Sequence, residues 1–226
     1  MADRLRQAFG SPGSDVPDPV ETLILTILSQ NTNDRNRDRA YTALRAAYKD
    51  WDTVRTAPQD ELADIIRPGG LHHQKAAHIQ QALERIPFAG QHREFDLGFL
   101  ETLPTDRALA WLTKLPGVGK KTAGIVLLFS FGKPYFPVDT HIARVARRLG
   151  WIEPADRDPH DALNAQIDRD PLLMRHLHVS LISLGRSTCH PRRPTCTVCP
   201  LEDVCPTGME IGTKGDKPGE RRKENG

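Results

Sequence analysis

The chain has 226 residues, with 31 basic against 29 acidic side chains and a formal net charge of +2. Bulk charge therefore selects no partner, and any nucleic-acid surface has to be a local patch. No stretch approaches the ~18 apolar residues of a membrane span, and the opening MADRLRQAFGSPGSD lacks the apolar core of a signal peptide, so the chain reads as a soluble, cytoplasmic protein with no membrane partner.

In chain order, the first well-marked helix opens at Asp18-Pro19-Val20-Glu21, which supplies an N-cap, a proline at the first helical position and a capping glutamate. Val20, Leu23, Ile24, Ile27 and Leu28 then recur on one face. The helix is expected to end in the polar cluster Ser29-Gln30-Asn31-Thr32, whose amides either close a turn or reach for a base or backbone. A polar helix follows over 36–48, with Ala40, Leu44, Ala47 and Tyr48 inward. Two short helices, 51–57 and 58–66, close at Pro68-Gly69-Gly70. Leu71 stands at the mouth of the next helix, either as ordinary core or as a wedge into a base stack. His72 and His73 are adjacent and so do not face one another on a helix; they read as solvated or phosphate-facing rather than as a metal pair. That helix carries Ala76, Ile79, Leu83 and Ile86, and residues 87–98 form a loop.

The stretch from Leu115 to Leu149 carries the chemistry. Pro116-Gly117-Val118-Gly119 is too rich in Gly and Pro for a helix interior, yet helical patterns flank it, so it joins two helices in a hairpin. The second helix starts near Lys120, and its apolar run to Gly132 should be buried. The amides of Gly117, Val118 and Gly119 would face outward at a positive dipole end, as a plain turn or as a phosphate site. Lys120 and Lys121 occupy the first turn, where the dipole disfavours cations; such a setting lowers a lysine pKa toward that of a usable nucleophile. Asp139, in Val138-Asp139-Thr140-His141, is placed to cap the helix carrying Ile142, Val145, Ala146 and Leu149, and a capped carboxylate held ionised can also serve catalysis.

Beyond Leu149 the pattern gives an acidic loop over 151–159 and helices over 162–167 and 172–184, the last ending at Gly185. No convincing alternating strand is present, so the fold class is all-α. From Thr207 the chain is charged and Gly-rich, and it is expected to be a disordered tail over 207–226. All four cysteines fall in one cluster, Cys189-x6-Cys196-x2-Cys199-x5-Cys205, which points to metal before disulfide. Only one close pair is present, so the spacing leans toward an iron–sulfur cluster, with structural zinc the alternative. Arg144, Arg147, Arg148, Arg186, His190, Arg192 and Arg193 are candidate phosphate contacts or ordinary solvated surface.

The hairpin LPGVGKKTA, the VDTH motif eighteen residues after Lys121 and the cysteine spacing together resemble the endonuclease III family of bifunctional DNA glycosylases, over residues 18–206. The resemblance implies a two-lobed helix–hairpin–helix fold, with a six-helix barrel over 20–133 and a second lobe of 1–19 plus 134–206 holding a [4Fe–4S] cluster on Cys189, Cys196, Cys199 and Cys205. It implies a monomer that binds double-stranded DNA across the cleft between the lobes, at damaged pyrimidines or abasic sites. Lys121 would attack the sugar and Asp139 assist; Gly117, Val118 and Gly119 would hold a phosphate. Leu71 matches the wedge, and Gln30 and Asn31 are both candidates for the amide that fills the gap left by a flipped base. His141, Arg144 and Arg186 would be DNA contacts. Thr113 departs from the pattern, standing where a well-known relative has an acidic residue. A monofunctional glycosylase of this fold would lack Lys121, and a non-enzymatic DNA-binding module would use Lys121 and Asp139 only as phosphate contact and cap.

Overall fold

The computed structural model describes residues 1–89 and 94–215. The described chain is helical almost throughout: α1 (Ala2–Phe9), α2 (Pro19–Leu28), α3 (Asp34–Ala47), α4 (Trp51–Thr56), α5 (Gln59–Ile65), α6 (His72–Arg85), α7 (Thr105–Leu112), α8 (Lys120–Ile125), α9 (Thr140–Arg148), α10 (Pro159–Gln166), α11 (Pro171–Ser187) and α12 (Pro206–Gly215). A two-residue antiparallel pair, with Phe88 opposite Phe95, is the only strand pairing among the described residues, and the class is all-α.

Local chemistry accounts for most helix starts. The Asp18 carboxylate accepts the Glu21 amide at 2.7 Å, Asn33 caps α3 through the Asn36 amide at 2.9 Å, and Asp50 caps α4 through the Thr53 amide at 2.8 Å. The expected capping glutamate does something else: the Glu21 side chain takes the Tyr41 hydroxyl and ties α2 to α3. Ala47 is exposed, against its expected inward position, because α3 ends there and turns into extended backbone at Tyr48.

The chain divides into two compact units. The larger spans Gly13–Pro137 with Arg169–Met174; the smaller comprises Met1–Pro12, Val138–Asp168 and the chain from Arg175. In the larger unit, α2 is buried nearly all round, and Leu23, Ile24, Ile27 and Leu28 pack with Leu44, Ile66, Ile79, Leu83, Leu112 and Leu127 in one core. After α8 the helix widens into a π-turn over Val126–Ser130, which stays buried, and ends before Gly132. In the smaller unit α11 runs two residues beyond its expected stop at Gly185. That glycine serves close approach rather than termination, because a Cβ there would stand 2.9 Å from the His141 Cβ.

The expected disordered tail begins instead as α12. Pro206 starts it, the Thr207 hydroxyl bonds the Arg148 carbonyl at 3.2 Å, the Met209 amide bonds the Cys205 carbonyl at 3.0 Å, and Gly208 packs against the Glu202 backbone. Those anchors outweigh a polar composition. Residues 216–226 of that tail lie outside the described residues.

Candidate nucleic-acid interface and cysteine centre

The hairpin forms where the sequence puts it, between α7 and α8. Gly117 has φ 73°, a left-handed conformation, and a Cβ built on it would fall 2.3 Å from His78 Nδ1. The turn therefore packs directly against α6. Gly119 is extended and exposed, with open space around it. Of the three amides expected to face outward, that of Val118 is taken internally by the Leu115 carbonyl at 3.1 Å, and Val118 is buried as part of the core. This corrects its assignment as a phosphate-facing amide. Among the described residues no hydrogen bond engages the Gly117 or Gly119 amide. Lys121 lies half-buried in the first turn of α8, one residue after Lys120.

The hairpin is linked to the end of α2. Gln30 donates from its side-chain amide to the Gly117 carbonyl at 2.8 Å and to the Thr122 hydroxyl at 3.4 Å. Asn31, next to it, is exposed with φ 51°. Leu71 has φ 50° and is 50% exposed, immediately before α6. Asn31 and Leu71 are the only non-glycine residues with positive φ among the described residues, and such backbone costs on the order of 1–3 kcal/mol each, concentrated at functional loops. Both lie in the larger unit, on loops leaving α2 and entering α6.

Asp139 belongs to the smaller unit, where its carboxylate caps α9 through the Ile142 amide at 2.7 Å. Further along α9, Arg144 is engaged within the protein. It donates to the Cys189 carbonyl at 3.0 Å and to the Gly185 carbonyl at 2.7 Å, with His141 Nδ1 3.1 Å away. These two bonds fasten α9 to the last turn of α11 and to the start of the cysteine loop. Arg148 does the same further along, reaching the Cys189 sulfur at 3.0 Å and the His190 and Pro191 carbonyls at 2.7 and 2.8 Å. Arg186 is exposed near the end of α11.

Cys189, Cys196, Cys199 and Cys205 all line one small pocket of about 20 Å³, together with Arg148, Thr188 and Pro194. Among the described residues no three His, Cys, Asp or Glu side chains are grouped to hold a metal ion. Four cysteine sulfurs around one pocket are the donor set of an iron–sulfur cluster. Burial first, then the neighbouring sulfurs, push the thiols of Cys196 and Cys199 up, so the thiolate forms of these two call for compensating positive charge. The donor set and its charge requirement fit an iron–sulfur cluster.

Sequence patterning missed Lys75. It is 1% exposed, and its ammonium bonds the Leu28 and Gly69 carbonyls, each at 2.7 Å. Its position on the inward stripe with Ala76, Ile79 and Leu83 was the available signal.

Residues 24–167 match the family model of the HhH-GPD superfamily of base excision DNA repair proteins, and the chain belongs to that superfamily. Within it the similarity is to endonuclease III. The chain is 34% identical over 192 residues to Endonuclease III of Thermotoga maritima, covering 83% of each chain. It is 35% identical over 188 residues to Endonuclease III of Sulfolobus acidocaldarius, covering 81% of this chain and 80% of that one. A solved structure of a trapped Endonuclease III–DNA covalent intermediate superposes with a TM-score of 0.74 at 29% identity, covering 93% of this chain and 95% of the other. The chain is thus a base excision repair DNA glycosylase and AP lyase of the endonuclease III type. No helix among the described residues is long and apolar enough to cross a membrane.

Proposed function

We propose that this enzyme removes oxidised pyrimidines such as thymine glycol from duplex DNA, and cuts 3′ to the resulting abasic site through a Schiff base on Lys121. The observation that carries the reading is Lys121 in the first turn of α8, directly after a hairpin whose Gly117 and Gly119 amides make no hydrogen bond among the described residues. Those amides suit a DNA phosphate at a positive helix end. The larger unit serves as the hairpin-bearing lobe, and the smaller carries Asp139 and the cysteine loop.

A base inside a duplex is out of reach, so the nucleotide turns out of the stack. Exposed Leu71 wedges into the step. Asn31, rather than Gln30, fills the vacated place, since the Gln30 amide is already committed to the hairpin whereas Asn31 is exposed. As the glycosidic bond breaks, positive charge grows on the sugar and the Asp139 carboxylate stabilises it. The Lys121 Nζ lone pair attacks C1′, and the base departs with the bonding pair and a proton. The sugar ring opens to an imine, a base removes a C2′ proton, and the electrons left behind expel the 3′ phosphate. Cys189, Cys196, Cys199 and Cys205 would hold a [4Fe–4S] cluster, which supplies a cross-link for the loop that Arg144 and Arg148 grip. No step of base removal calls for electron transfer.

Incubated with a duplex containing one thymine glycol, the protein is expected to release the base and leave a nick 3′ to the lesion. Intact strands after prolonged single-turnover incubation would rule the substrate assignment out.

A further inference from the structure

The buried ammonium of Lys75 bonds two carbonyls that are 41 residues apart in sequence, Leu28 and Gly69. The first belongs to the last turn of α2, where a helix leaves carbonyls without intrahelical partners. The second closes the 3₁₀ turn Arg67–Gly69. A cation is well placed at such carbonyl ends, and this one satisfies both with a single atom. Burial lowers its pKa to about 8, so it stays mostly charged at neutral pH.

Each of these carbonyls stands just ahead of a strained residue. Leu28 lies three residues before Asn31, and Gly69 two residues before Leu71; Asn31 and Leu71 are the two non-glycine positions with left-handed backbone among the described residues. The backbone amide of Lys75 also donates to the Leu71 carbonyl at 2.9 Å. Gly69 is pressed close, since a Cβ there would stand 3.2 Å from the Ala40 Cβ. One side chain thus pins the bases of two strained, exposed loop tips to each other. A strained tip holds its shape only where its surroundings over-determine it.

We infer that Lys75 is a positioning residue that couples the Asn31 and Leu71 loops, so that gap-filler and wedge enter the duplex as one preset unit. The inference rests on the functional reading given above. Lys75 touches neither base nor sugar in this scheme; it acts through the geometry of the two loops. Separate, loosely held tips would have to be ordered during each flipping event, which slows duplex opening without altering the chemistry at Lys121.

The test uses Lys75→Met, which keeps the length and apolar stem, and Lys75→Gln, which keeps amide donors. On duplex DNA the Met variant is expected to excise thymine glycol about 10- to 100-fold more slowly in single turnover, with partial rescue by Gln. On single-stranded abasic DNA, where no stack has to be opened, borohydride trapping through Lys121 should stay within about twofold of wild type. Equal losses on both substrates, or no loss on either, would overturn the inference. Hydrogen exchange gives a reading that needs no DNA: amides over 29–32 and 69–72 are expected to exchange faster together in the Met variant, by about tenfold or more. Loosening of one segment alone, or of neither, contradicts the coupling. A wild type that is inactive on every substrate would instead sink the functional reading, leaving the exchange result to judge Lys75. Global unfolding of both variants would make Lys75 a core-stability residue and end the proposal.

Discussion

Gly117 and Gly119 sit two residues apart in one turn, yet they should respond oppositely to the same added methyl group. At Gly117, φ is 73°, and the new Cβ would lie 2.3 Å from His78 Nδ1, 2.6 Å from its Cγ and 2.9 Å from its Cβ. Placing an L side chain in left-handed backbone costs about 1 kcal/mol, and forced overpacking adds about 1–3 kcal/mol. The His78 ring cannot simply swing clear, because its Cβ is also too close, so α6 and the hairpin must part. Gly117→Ala is therefore expected to lose about 2–4 kcal/mol, which for a chain of this size lowers Tm by roughly 5–15 °C. At Gly119, φ is −91° and nothing lies within 4 Å of the added Cβ. Gly119→Ala should change stability by less than about 1 kcal/mol, the difference between the two residues at an N-cap. Under the proposed function its methyl would nonetheless crowd a bound phosphate and weaken DNA binding. Thermal melts with urea titration, alongside a binding isotherm on abasic-site duplex, separate the two effects. A tolerated Gly117→Ala, or a Gly119→Ala as destabilised as its neighbour, would refute the packing argument for this turn.

Two other perturbations bear on the site. Asp139→Asn keeps an oxygen for the Ile142 amide, so Tm should move by no more than about 2 °C. Single-turnover base release should nonetheless fall about 100-fold; an unchanged rate would reduce Asp139 to a helix cap. Lys75 has a folded-state pKa of about 8 against 10.5 for the free side chain. Because the folded value is the lower one, the unfolded chain binds more protons between these pH values. The cost of burying the cation is thus fully present below about pH 8 and is relieved as pH rises toward 10.5. Wild type should gain on the order of 2–3 kcal/mol across that window relative to Lys75→Met, measured by urea unfolding; parallel pH profiles would contradict a depressed Lys75.

Much of the helical frame was legible because it depends on neighbouring residues. Asp18 and Asp139 cap helices through amides three positions on, and the apolar stripe of α2 gives its buried face directly. What escaped was decided by partners distant in sequence. Glu21 reads as a reciprocal cap but bonds Tyr41. Gly185 reads as a stop but admits His141 and Arg144 against the last turn of α11. Arg144 and Arg148 read as phosphate contacts, and only the position of the cysteine loop reveals them as its clamps. The site shows the same contrast. Lys121, Asp139 and the four cysteines stand out by local motif and spacing. The internal bond of Val118, the Gln30–Gly117 link and the burial of Lys75 arise from packing that a linear pattern does not encode.

The central claim is that Lys121 is the nucleophile, and borohydride trapping tests it most directly. Wild type and Lys121→Ala would each be mixed with a duplex bearing one abasic site, with reductant added during turnover. A covalent protein–DNA adduct is expected with wild type and none with the variant, while the variant still binds the duplex. Strand cleavage by wild type with no adduct, or an adduct that persists in Lys121→Ala, would contradict it.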